Sequence, residues 1–147
     1  MTSELIRPFK KEDITKISQI EKECFTKPWT EHMLKCEYDN PLFRCFVYFL
    51  QNEILGYVNF FCVGSDQIDI GNCAVTPKFQ RRGAAKALIA HLIDYCKHNG
   101  IKNISLEVNS QNTAAINLYC GFNFKTEGLR KNYYGENSDA LIMWLRF

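Results

Sequence analysis

Three short stretches of this chain combine residue types that can do chemistry. The first is Gln80-Arg81-Arg82-Gly83-Ala84-Ala85-Lys86, small at three successive positions and basic on both flanks. Where such a turn opens a helix, backbone N–H groups can approach a bulky anion, and a phosphate or pyrophosphate fits there. The competing reading is that Gly83 only eases strand-to-helix packing and the arginines are solvated. The second is Glu107, on an otherwise apolar run, Leu106-Glu107-Val108. A carboxylate there is either an edge charge or a base with a raised pKa. The third is Tyr119, either a core tyrosine or a phenol of reference pKa about 10 that can deliver a proton.

The elements that position these residues follow from periodicity and punctuation. Residues 68–75 alternate with period two. Ile68, Ile70, Asn72 and Ala74 fall on one side, and Asp69, Gly71, Cys73 and Val75 on the other, until Pro77 ends the strand. Leu88, Ile89, Leu92, Tyr95 and Cys96 recur at helical spacing, and Asn99-Gly100 is a good left-handed terminator. The basic loop therefore joins a strand to a long helix.

Upstream, Leu5 to Phe9 reads as a strand. Asp13 caps a helix whose Ile14, Ile17, Ile20 and Cys24 share a face, and Thr30 caps a second, short helix. Strands 43–50 and 54–63 with the next one make an antiparallel meander. Asn103 to Val108 returns parallel to the strand before the helix, because a helical crossover joins them. A helix over 113–120 and strands over 124–129 and 140–145 close the sheet. The expected class is α/β: a mixed, mostly antiparallel twisted sheet with one parallel strand pair, flanked by helices.

The totals bound the function. The chain has 147 residues, 46% of them hydrophobic, which predicts one domain over 1–147 with a real core. Seven cysteines, without a C-x-x-C pair, and three isolated histidines give neither a disulfide framework nor a metal site. A net charge of +2 argues against wholesale nucleic-acid binding. No apolar run is long enough to span a bilayer and no signal-peptide core is visible, so the expectation is a cytoplasmic protein without membrane contact.

The loop Q-R-R-G-A-A resembles the Q/R-x-x-G-x-G/A loop with which GCN5-related N-acetyltransferases hold the pyrophosphate of coenzyme A. Three further runs resemble the family's N-terminal acetyltransferase branch. They are Leu106 to Tyr119, read as L-E-V-x-x-x-N-x-x-A-x-x-L-Y; Pro28-Trp29-Thr30; and R-x-N-Y-Y at 130–134 followed by D-A-x-x-M at 139–143. The element order is the family's as well. Where the family usually has Gly-Phe, Asn123-Phe124 stands here, asparagine being the next residue most tolerant of left-handed backbone, with Gly121 adding local freedom.

The resemblance implies acetyl-CoA as cosubstrate, with no metal. It implies Glu107 as general base, often through water, and Tyr119 as general acid for direct transfer. Arg81, Arg82, Gly83, Ala84, Ala85 and Lys86 would hold the pyrophosphate. Backbone N–H groups of Cys73, Ala74 and Val75 would hold the pantetheine arm and polarise the carbonyl, and Asn112 would hydrogen-bond the arm. Tyr133 and Tyr134 would line the acceptor groove, although two tyrosines can equally pin a hairpin. The acceptor implied is a protein N-terminus, in the nearest branch the alanine terminus of small-subunit ribosomal protein eighteen, with the enzyme a monomer or weak dimer. The alternatives are other N-termini, lysines or small amines, and, in a different class, a module that binds acyl-CoA without chemistry.

Overall fold

The computed structural model describes residues 4–147. Strand β1 (Glu4–Pro8) is followed by a 3-10 turn and helices α1 (Ile14–Cys24) and α2 (Glu31–Tyr38). Strands β2 (Phe43–Leu50), β3 (Glu53–Val63) and β4 (Gln67–Val75) come next. Then follow α3 (Ala84–His98), β5 (Asn103–Asn109), α4 (Thr113–Gly121), β6 (Lys125–Arg130) and β7 (Ala140–Arg146). The strands make one sheet in the order β1-β2-β3-β4-β5-β7-β6. Only β4 and β5 run parallel; every other neighbouring pair is antiparallel. Class, element order and the parallel pair are those expected.

The sheet has a core on each face. One packs Leu88, Ile89, Leu92 and Cys96 of α3 against Phe60, Ile68 and Ile104. The other packs Ile14, Ile17 and Ile20 of α1 and Leu34 of α2 against Val47 and Tyr57. Each fully buried isoleucine contributes about 1.5–3 kcal/mol relative to an exposed one. Thr30 caps α2 as expected, its Oγ1 accepting from Met33 N–H at 3.1 Å. Asp13 does not cap α1 through its side chain. Its carboxylate instead accepts from Lys10 N–H and from Arg7, both at 2.7 Å.

Two features of β4 create a site. The parallel ladder to β5 runs only from Gln67↔Asn103 to Ile70↔Leu106, while β4 continues to Val75 and β5 to Asn109. β5 stays paired with β7 through Asn109↔Ala140, so the sheet splays open between β4 and β5. The second feature is a bulge. Val58 faces Cys73 and Phe60 faces Ile70, so Gly71 and Asn72 together oppose Asn59.

Asn59 stabilises the bulge by accepting from Asn72 N–H at 2.8 Å with its buried side-chain oxygen, which stands in for a ladder carbonyl. Position 71 has to be glycine, since a Cβ there would collide with that same oxygen. The bulge overturns the single alternation expected along 68–75. Ile68 and Ile70 lie in the α3 core, but Ala74 lies in the α1 core and Val75 returns to the α3 side.

Candidate active site

Two clefts open at the splay. The smaller, about 460 Å³, reaches from the start of α3 to α4. The larger, about 1030 Å³, lies among the α1–α2 loop, the end of β5 and the β6–β7 loop. They meet at Cys24, Phe25, Cys73, Asn112, Ala115 and Tyr119, which line both. A third groove, about 640 Å³ between Lys97, Phe122 and Trp144, contains none of the residues expected to bind cofactor or acceptor or to move protons.

The basic loop shapes the smaller cleft. Gln80 Nε2 donates to the Val75 carbonyl at 2.9 Å, tying the loop to the end of β4. Arg81 and Gly83 then take left-handed backbone, with φ of +64° and +86°. Gly83 is the N-cap and offers no side chain, and the first turn's main-chain bond is Ala87 N–H to Gly83 O at 2.9 Å. The N–H groups of Ala84, Ala85 and Lys86 thus open the helix without a side-chain cap, a ready anion site. Arg81, Gly83, Ala84, Ala85 and Lys86 line the cleft. Arg82 turns its guanidinium over the Phe79 ring, 5.3 Å from the centroid.

Along β4 the backbone alternates. Thr76 N–H donates to Leu55 O of β3 at 2.8 Å, whereas Val75 O faces the other way, accepting from Gln80 and from Cys24 Sγ at 3.3 Å. Alternation then aims the main-chain groups of Cys73 and Val75 at the splay and those of Ala74 at β3. Ala74 therefore shapes the cleft with its buried side chain rather than with its N–H. Burial pushes the Cys73 thiol up to about 12, which leaves it no nucleophilic thiolate at neutral pH.

Glu107 lies at the larger cleft, half-buried, with Arg130 Nη2 at 3.3 Å. Arg130 in turn lies over the Tyr133 ring at 5.3 Å, and the rings of Tyr133 and Tyr134 meet edge to face at 5.0 Å. Tyr134 reaches the Glu107 carbonyl with its hydroxyl at 3.4 Å. Burial, and secondarily the Glu107 charge, raises the Tyr134 phenol above its ordinary value. Both tyrosines line the larger cleft, so the pair bounds a groove rather than only pinning a turn.

Tyr119 is buried at the junction, its ring packed on Phe124 at 5.5 Å. Burial, then the neighbouring Cys73 and Tyr134, holds its phenol well above the usual tyrosine value. Asn123 follows with φ of +71°, while Gly121 stays within α4. The asparagine makes the left-handed turn here, at the position where the family that the sequence resembles usually has glycine. Asn112 is the N-cap of α4, its oxygen accepting from Ala115 N–H at 3.2 Å. Its side-chain amide N–H groups, not its oxygen, are left for a ligand.

Sequence reasoning missed Glu21 and the pairing of Arg130. Glu21 is fully buried under the larger cleft. Its carboxylate accepts from the Tyr57 hydroxyl, from Asn72 Nδ2 at 2.9 Å and from Trp29 N–H at 3.1 Å. The available signal was position: Glu21 is four residues after Ile17, on the apolar stripe of α1. Among the described residues no group of three or more His, Cys, Asp or Glu could hold a metal ion. No helix among them is long and apolar enough to cross a membrane.

The profile of the Acetyltransferase (GNAT) family matches residues 14–122. A putative [ribosomal protein bS18]-alanine N-acetyltransferase of Bacillus subtilis is 34% identical over 146 residues, 98% of this chain and 96% of its own. The crystal structure of the ribosomal-protein-S18-alanine N-acetyltransferase from Escherichia coli superposes with a TM-score of 0.91 at 28% identity, covering 98% of this chain and 94% of that one. Arabidopsis thaliana NAA60 in complex with acetyl-CoA shares the fold at a TM-score of 0.89 and 18% identity, over 99% of both chains. A splayed β4–β5 pair, an uncapped helix mouth and an end-to-end match in sequence lead to one conclusion: the chain belongs to the GNAT family and is an N-acetyltransferase, an enzyme class whose cosubstrate is acetyl-CoA.

Proposed function

We propose that residues 1–147 act as one N-acetyltransferase domain on a protein N-terminus, with the alanine terminus of ribosomal protein bS18 as acceptor. The observation that supports this best is the meeting of two clefts at Cys73 and Tyr119, with Glu107 at the larger one. Acetyl-CoA supplies the activated acetyl group and a thiolate leaving group. The N–H groups of Ala84, Ala85 and Lys86, with Arg81, would hold its pyrophosphate, and Asn112 and the β4 backbone its arm. The main-chain N–H groups of Cys73 and Val75 act as oxyanion donors. Glu107, directly or through water, takes the proton from the acceptor amine. Tyr119 holds a proton on its phenol oxygen at the junction, available to the leaving sulfur.

An α-amine suits this arrangement. Its reference pKa is near 7.7–8.0 against 10.4 for lysine, so neutralising lysine costs roughly 3.5 kcal/mol more at pH 7. The bS18 acceptor is supported by the names of the B. subtilis and E. coli relatives and by the tyrosine pair beside Glu107. The test offers acetyl-CoA with the N-terminal bS18 peptide, the same peptide with a blocked α-amine, peptides with other N-termini, and spermidine. Rapid acetylation of the free bS18 terminus alone is expected. Equal rates on free and blocked peptides would defeat the reading, and binding of acetyl-CoA with no turnover on any amine would favour a non-catalytic acyl-CoA module.

A further inference from the structure

The Glu21 cluster is the one buried charged group beside the site that the mechanism above leaves without a task. All three partners that reach its carboxylate are donors: the Tyr57 hydroxyl, the Asn72 amide and the Trp29 N–H. The amide of Asn72 is thus held with its NH2 on Glu21. The other arm of that planar fork, the Asn72 side-chain oxygen, is thereby turned away from Glu21. Asn72 itself is half-buried and lines the larger cleft, as Trp29 does. It sits at the bulge, next to Cys73, whose main chain faces the splay.

We propose that Asn72 is an acceptor-positioning residue whose side-chain oxygen receives a hydrogen bond from the incoming α-amine, and that Glu21 orients it. The same carboxylate fastens the Trp29 loop, so one buried group sets both the floor and one wall of the acceptor cleft. A neutral amine approaching the acetyl carbon must turn its lone pair toward that carbon and its N–H groups elsewhere. A fixed carbonyl oxygen beside the reaction point selects that orientation, whereas Glu107 removes the proton. The bulge is what makes this possible: without the extra residue opposite Asn59, strand alternation would not bring Asn72 and Ala74 together onto the α1 face. Gly71 and the Asn59 oxygen, which hold the bulge, are thus part of acceptor recognition at one remove.

This inference rests on the α-amine reading above, and its test separates the two. The full chain is assayed with acetyl-CoA and the N-terminal bS18 peptide, varying each substrate in turn. Asn72→Ala is expected to lower kcat/KM for the peptide by about 10- to 100-fold, the range of a lost orienting hydrogen bond. KM for acetyl-CoA should stay within about twofold. Glu21→Leu, which leaves the Asn72 amide without its acceptor, should reproduce the same split. The double variant should lose no more than the worse single one, since Glu21 acts through Asn72. Ile89→Val, in the α3 core, is the folding control, because it loosens packing without removing a partner of Glu21 or Asn72. It should lower the thermal midpoint while leaving the peptide kcat/KM within about twofold.

Peptide kcat/KM unchanged in Asn72→Ala would overturn the proposal, as would equal losses toward both substrates or multiplying losses in the double variant. A wild-type enzyme that acetylates no peptide α-amine would overturn this proposal together with the reading it rests on. Turnover of the peptide combined with any of the former outcomes would overturn this one alone.

Discussion

At the scale of single residues, the proposed roles divide between groups that move protons and groups that hold charge. Glu107 lies at the cleft beside Arg130, and a general base contributes roughly 10²- to 10⁴-fold. Glu107→Gln should therefore lower kcat by about that factor, while acetyl-CoA affinity, measured by calorimetry, stays within about twofold. An unchanged kcat with chemistry limiting would remove Glu107 from the role. The two loop arginines, equivalent in the sequence, differ in the fold: Arg81 lines the smaller cleft and Arg82 lies on Phe79. Arg81→Ala should weaken acetyl-CoA binding more than Arg82→Ala, and with a shallower salt dependence, because the charge that salt screens is gone. Titration of both variants at two ionic strengths decides it.

At the scale of elements, the site depends on places where regular structure stops. The β4–β5 ladder ends at Ile70↔Leu106, the bulge redirects Asn72, and α3 starts from a residue that cannot cap it. Asn123 ends α4 with φ of +71°, a conformation that costs most L residues roughly 1 kcal/mol and glycine nothing. Asn123→Gly should be neutral or slightly stabilising, and Asn123→Ala should cost about 1 kcal/mol in urea unfolding. Acetylation rate should change little in either, since the turn supports Tyr119 from behind. A large kcat loss in Asn123→Gly would show that the asparagine side chain has a task of its own.

At the scale of the whole molecule, burial of neutral titratable groups sets the alkaline limit. Burial raises Tyr57 and Tyr119 above the ordinary tyrosine value and Cys73 and Cys96 to about 12. In each case the folded-state pKa exceeds the unfolded one. The unfolded chain then loses protons first as pH rises, and stability that is fully present below about pH 8.5 declines above it. Urea midpoints from pH 7 to 11 should fall through this window, less steeply in Tyr57→Phe, which removes one of the groups. A flat profile would contradict the burial of these side chains. Binding of acetyl-CoA, which only the folded chain can hold, should raise the midpoint throughout.

What the sequence determined by itself was local: where strands and helices begin and end, the loop that opens α3, and the types of residue that could do chemistry. These follow from periodicity, caps and breakers within a few residues of one another. Thr30 and Asn99-Gly100 acted as read, and Asn123 took the left-handed turn that its tolerance of such backbone allowed. Only the tertiary structure decided the rest. The bulge depends on Asn59 of β3 reaching across to Asn72, and Arg82 turns onto a ring rather than into the cleft. Glu21 meets partners from β3, β4 and the α1–α2 loop that are distant in sequence. A period-two pattern cannot report an inserted residue that a neighbouring strand accommodates, and a carboxylate on an apolar stripe shows that it is buried only once its donors have converged on it.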